Sequence, residues 1–279
     1  MSQPPSGKGE SVLSLQNISR TFFTALQRQH DMLAFSIAGL HTADPKAYEH
    51  FSTISRVMPV PQAHLPPEQM LAYARGLMMR TTINDLLSLS AECMSQCFLL
   101  CLFIREQGKN PRRDPLVEKI VSEKHQAFVK MSLQDRFTAL ETEFGIVCEL
   151  EDGIFSLASA LRVLARGGLV TNDDITPDGA LTLEFKAMKD VETADATEDA
   201  PVALDADSPP GVTRHGVGEA GRPKTVARLA DTSRTFKPGE MLALSDSELL
   251  GLNITVSKFV DGLLRSVDHF GRAQLGDGA

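Results

Sequence analysis

The chain contains no tryptophan and only two tyrosines among its 279 residues, and aromatics make up 6% of it. That scarcity argues against a stacking platform for single-stranded nucleic acid, which needs exposed rings. A basic excess is also missing, since the formal net charge is −8. Seven acids and no base fall within residues 190–207, so the remainder is nearly neutral. A protein that grips nucleic acid chiefly through phosphates carries the opposite balance. The sequence has no CxxC pair, no HxxxH or HxH spacing, and no Walker, GxSxG or HExxH motif. No cofactor is implied. The most apolar run, Cys97–Ile104, is far shorter than the roughly 20 residues that span a bilayer. The opening MSQPPSGKGE is polar with no apolar stretch behind it, so neither a secretory leader nor a membrane anchor is expected.

What is present is helical periodicity. Leu15, Ile18, Phe22, Leu26, Leu33, Ile37 and Leu40 recur at spacings of three, four and seven, which predicts an amphipathic helix over 12–39. Asp44-Pro45 caps and opens a short helix, and Pro66-Pro67-Glu68 starts a long one ending at Gly108. Forty residues is long for one helix, so a break is expected near Gly76 or Thr81-Thr82. Asp114-Pro115 begins a helix to about Lys130, Ser132 caps the next, and Gly145 closes it. Glu151–Arg166 follows, running into Gly167-Gly168. Leu181, Leu183 and Phe185 alternate with polar residues as a half-buried strand, and Glu240–Leu244 reads as its partner. Between them, residues 187–232 lack periodicity and carry too few large apolar side chains to offset the ordering entropy, so a disordered acidic insertion is expected. Ser245-Asp246-Ser247-Glu248 forms a capping box ahead of a helix with Leu249, Leu252, Val256, Phe259, Leu263 and Val267 on one face. The fold class is mainly α, a helical bundle with a two-stranded β element. The expected layout is a flexible N-terminus at 1–11, one domain over 12–270 and a flexible tail at 271–279.

Ser156–Lys186 sets a periodic helix, a double-glycine stop, a polar loop and a short alternating strand in that order. This order resembles the end of the catalytic helix in HEPN-type proteins, helical RNases and RNA-binding modules of defence and toxin–antitoxin systems. That family carries Arg-Asn, three residues, then His, often followed by a Gly-rich turn. Aligned on the glycines, Ala160 stands in the place of Arg, Leu161 of Asn and Ala165 of His. Taking Arg162 as the motif Arg instead puts Gly167 where His belongs. Asp135–Ile146 and Phe236–Leu250 also look similar to stretches of these proteins. The resemblance implies a pseudoenzyme, a module that binds RNA or protein and pairs as a homodimer with the motif helices facing; four cysteines without a CxxC pair imply a cytoplasmic protein. Small side chains at Ala160 and Ala165 permit such close approach. The alternatives are an RNase with a non-standard set, such as Arg162 with an acid from elsewhere, and a helical scaffold unrelated to RNA.

The candidate binding residues are Arg162, Arg166, Gly167 and Gly168. Two guanidiniums four residues apart grip phosphates or carboxylates through forked hydrogen bonds. Arginines in a last turn also simply complement the helix dipole. A basic cleft beside them would indicate RNA, and a flat, neutral, apolar surface a protein partner. Cys93, Cys97 and Cys101 share one helix face, with Cys148 and His125 elsewhere. Such ligands suit zinc. However, one straight helix spreads the outer thiols about 12 Å apart, too far for a single ion with Zn–S bonds near 2.3 Å. They read as reduced core thiols, and no metal site is expected. Met70, Met78, Met79 and Met94 read as core filler, and His30, His41, His50 and His64 as surface or capping residues. A two-fold homodimer is expected because the helix containing Cys93–Ile104 is apolar nearly all round and needs covering.

Overall fold

The computed structural model describes residues 13–54, 65–109, 115–193 and 224–275. Seven helices and a two-stranded antiparallel sheet occur among them: α1 (Leu15–His41), α2 (Pro45–Ile54), α3 (Pro67–Lys109), α4 (Pro115–Val129), α5 (Leu133–Phe144), α6 (Glu151–Ala165), β1 (Leu181–Thr193), β2 (Lys224–Phe236) and α7 (Asp246–Leu275). The architecture is the mainly α bundle with a β pair that the periodicity predicts.

Local chemistry sets most boundaries. The Ser14 side chain accepts from Asn17 N–H at 3.2 Å and caps α1, whose Ile18, Phe22, Leu26 and Leu33 are buried as the apolar stripe requires. Asp44 Oδ1 accepts from Lys46 N–H at 2.9 Å at the start of α2. Ser132 caps α5, and Gly145 ends it at φ 68°, where the left-handed turn returns the Ile146 N–H to Leu140 O. The capping box of α7 is reciprocal: Ser245 N–H donates to Glu248 Oε2 at 2.7 Å, and Glu248 N–H to Ser245 Oγ at 3.3 Å.

Helix directions follow from four contacts. His41 meets Asp246, and Asn253 reaches Leu26 O, so α1 runs antiparallel to α7. Arg75 binds Asp246, and Gly271 lies beside Ile104, so α3 and α7 run parallel. α3 is the axis, packed against α1, α4, α5, α6 and α7. It is continuous through Gly76 and Thr81-Thr82, contrary to the expected break. The Thr81 hydroxyl bonds back to Leu77 O at 2.9 Å and Thr82 is buried, so packing overrides weak local propensity. With a mean hydropathy of 1.7 over its most apolar window, α3 is long and apolar enough to cross a membrane, and 44% of that window is buried in this chain. Cys93, Met94, Cys97, Phe98, Cys101 and Leu102 form the core there. Phe98 stacks on Phe128 at 4.0 Å between ring centroids. Leu99, Phe103 and Ile104 on the other sides of the helix are partly buried against this core.

Three further expectations are corrected. The partner of β1 is β2, with Leu181 opposite Phe236 and Thr193 opposite Lys224, and not Glu240–Leu244. The latter stretch contributes one bridge, Leu169 to Met241. The pairing also extends into residues 187–193 and 224–232, where a loop was expected; the core of that insertion, 194–223, lies outside the described residues, as does the expected flexible N-terminus. β2 is polar on both faces over Asp231–Thr235, so only its ladder to β1 marks it as a strand. Finally, the tail expected loose from residue 271 is helical through Leu275, with Arg272 paired to Asp268 at 2.8 Å.

Candidate functional site

The end of α6 assembles the residues singled out in the sequence. Glu151 and Asp152 in its first turn favour the dipole, and Ile154, Leu157, Ala160, Val163 and Leu164 face the core. Ala160 is fully buried, Leu161 is partly buried against the core, and Ala165 is exposed. Positions 160 and 165 therefore lie on different sides of the helix, one inside and one in solvent. Ala160 is consequently unable to serve a dimer interface.

The double glycine makes the stop. Gly167 and Gly168 have φ of 96° and 86°, and Gly168 N–H returns to Val163 O at 3.0 Å. The chain is then stitched to the segment before α7: Val170 N–H donates to Glu240 O at 2.9 Å, and Leu242 N–H to Gly168 O at 2.8 Å. Those two bonds flank Leu169 and Met241, which makes them a non-hydrogen-bonded antiparallel pair with side chains close together on one face. Both are solvent-exposed, at 47% and 57%.

Arg166 is occupied. Its guanidinium binds the Asp174 carboxylate, which also accepts the Thr171 N–H at 3.0 Å and the Thr171 hydroxyl at 2.8 Å. Burial alone would raise the pKa of Asp174, but the Thr171 bonds and Arg166 together hold it below the ordinary aspartate value. Arg166 thus braces the loop after the glycines. Arg162 is exposed, touches Ser159 Oγ at 3.1 Å, and enters no ion pair among the described residues. Arg162, Arg166, Gly167 and Gly168 lie together at the end of α6 by chain order, whereas Leu169, Met241 and Asp174 went unread. Met241 is far away in chain order, and only the bridge reveals the pairing.

The other candidates resolve as core. Cys93, Cys97, Cys101 and Cys148 are all buried free thiols. The Cys93 hydrogen bond and burial raise Cys97, and burial pushes Cys101 and Cys148 up to about 12. His125 bonds Ser95 Oγ at 2.8 Å instead of a thiol, and no group among the described residues is arranged to hold a metal. Met79 and Met94 are buried, while Met70 and Met78 are half-buried.

At the other end of α6 lies a cavity of about 640 Å³ that the sequence did not announce. Cys148, Glu151, Asp152, Glu184, Asp231 and Ser233 are among its walls. Desolvation raises the Glu151 pKa, with the charges of Asp152 and Glu141 adding to it.

Compared with known proteins, the chain matches no family model, no curated protein and no solved structure.

Proposed function

We propose that this chain is a cytoplasmic, non-catalytic, HEPN-like module that binds a protein rather than RNA, in a defence or toxin–antitoxin setting, through the surface at the end of α6. The observation carrying this reading is the exposed Leu169–Met241 pair beside an Arg166 whose charge Asp174 already answers. Exposed apolar side chains next to a single unpaired guanidinium favour a protein surface, where arginine and apolar anchors are enriched. RNA binding through phosphates draws on several cations at once. The pseudoenzyme part of the reading rests on Ala160 and Ala165, which offer a scissile phosphate no charge and no proton donor or acceptor.

Two measurements test it. Purified protein should leave generic single-stranded RNA and tRNA intact and should not retain them at low salt. Salt-sensitive retention that disappears in Arg162→Ala would return the surface to RNA, and copurifying cleavage lost in that variant would restore the enzyme. For the protein partner, a photo-crosslinker in place of Met241 should give a discrete adduct in the producing cells, abolished by Leu169→Asp. Pairing of two copies, which the resemblance implies, would use this same face. Light scattering should then give twice the 30.3 kDa chain mass, falling to one chain mass in Leu169→Asp. A single chain mass for the parent assigns the face to a different protein.

A further inference from the structure

The two edges of the β hairpin are unequal. Glu184 N–H donates to Ser156 Oγ at 3.1 Å on α6, and Lys186 N–H to Thr255 Oγ1 at 2.8 Å on α7. The carbonyls of the same two residues lie against Gly153 and Gly251, where a Cβ would stand 3.3 Å and 2.6 Å from them. That edge of β1 is closed by helices. Because main-chain direction alternates along an antiparallel ladder, Leu181, Leu183, Phe185 and Ala187 exchange their bonds with β2. Leu229, Asp231, Ser233 and Thr235 of β2 consequently turn N–H and C=O to the opposite edge. No backbone hydrogen bond among the described residues reaches them there.

Beside this strand opens the acidic cavity at the start of α6. Asp231 is paired with Lys186 at 2.7 Å, whereas Glu151, Asp152 and Glu184 enter no ion pair among the described residues. We propose that the free edge of β2 and this cleft together dock an extended, lysine- or arginine-rich segment of a partner protein. Strand addition supplies main-chain hydrogen bonds, and neighbouring pockets supply selectivity. A cationic residue opposite Ser233 would sit about 5 Å from β2, and its long stem carries the charge across to Glu184.

Charge selects this occupant over two nearer ones. Residues 190–207 of the chain itself carry seven acids and no base, so the cleft repels them; residues 208–223 carry Arg214 and Arg222, and peptide binding that tightens in Arg214→Glu/Arg222→Glu would make that stretch the occupant and overturn the proposal. A second copy brings Asp231 and the same carboxylates against their own kind. The site lies at the opposite end of α6 from Leu169 and Met241, roughly 20 Å along the helix, and stands whether or not that surface binds anything.

The probe is a labelled ten-residue peptide of alternating lysine and threonine, titrated against the full chain by fluorescence anisotropy. The proposal expects saturable binding, weakened at least tenfold in Glu151→Gln/Glu184→Gln, and lost when alternate peptide nitrogens are methylated. Far-UV circular dichroism and an unchanged melting temperature establish that the variant is folded. Absent binding, or equal binding of the glutamate–threonine peptide, overturns the proposal. So does binding indifferent to N-methylation or matched by spermidine, because charge without a strand would then suffice.

Discussion

At the scale of single residues, two absent side chains decide how the hairpin seats. Gly251 lies so close to Lys186 O that a Cβ would stand 2.6 Å from it, with the Phe185 ring at 3.3 Å. Neither helix nor strand can yield there without moving its neighbours, since both obstacles belong to β1. Gly251→Ala should therefore destabilise the fold by about 1–3 kcal/mol, the range for overpacked sites. Gly76 is the control: it is helical, and a Cβ there meets nothing within 4 Å. Gly76→Ala should stabilise by about 0.5–1 kcal/mol through helix propensity alone. Urea denaturation of both variants checks the pair, and equal effects would mean that the hairpin is loosely seated. Gly145, Gly167 and Gly168 were legible because each interrupts a periodic helix. Gly153 and Gly251 sit inside helices, where chain order carries no mark of the strand crossing above.

At the scale of elements, the helices could be read and the hairpin only half. Caps, prolines and apolar spacing announced α1, α5 and α7 because the information is local: Ser14, Ser132 and the Ser245–Glu248 box each act within three residues. β2 lacks alternation because its outer face and edge are open, so its pattern was not hydrophobic. The clamp at the shared end of α1, α3 and α7 was equally hidden, because its three members are far apart in sequence. Asp246 accepts from Arg75 at 2.6 Å and meets His41 Nε2 at 2.6 Å, and Arg75 also donates to Leu244 O. The His41 bond chiefly, helped by Arg75, lowers the Asp246 pKa against the opposing effect of burial. A carboxylate whose folded pKa lies below its unfolded value stabilises the fold above the unfolded value, and that contribution is lost as pH falls through the lowered one. Stability should thus decline on the acid side of the ordinary aspartate range, and Asp246→Asn should flatten that decline while lowering stability at neutral pH. Melting temperatures over a pH series measure it; parallel curves for parent and variant would remove the clamp from the account.

At the scale of the whole molecule, one core joins α1, α3, α4, α5, α6, α7 and the buried face of the sheet. The four thiols report on its closure. All are buried, and desolvation keeps Cys101 and Cys148 protonated. Ellman's reagent should accordingly label none of them in the native chain and all four in denaturant. Fast native labelling of Cys148, which borders the acidic cavity, would show that the cavity opens deeper than its walls indicate. This much of the core was readable, since a thiol stripe at four-residue steps on one helix cannot gather round an ion. The surface chemistry was not, because cavity and apolar pair are each built from segments that meet only after folding.

The burial of Ala160 also constrains what sequence change can do to this chain. Placing arginine at 160 and histidine at 165 would write the letters of the motif that the resemblance suggests, but would not make a nuclease. The guanidinium would enter a packed interior with no carboxylate waiting, an arrangement that costs several kcal/mol or forces α6 out of place. Ala160→Arg/Ala165→His should lose cooperative thermal unfolding before it gains any activity on RNA, whereas Ala165→His alone should melt like the parent. Cleavage by a double variant that still melts cooperatively would show that α6 can rotate its inner face outward. Otherwise the inner face of α6 is closed to charge: position 160 belongs to the core, and a cation reaches it only through unfolding.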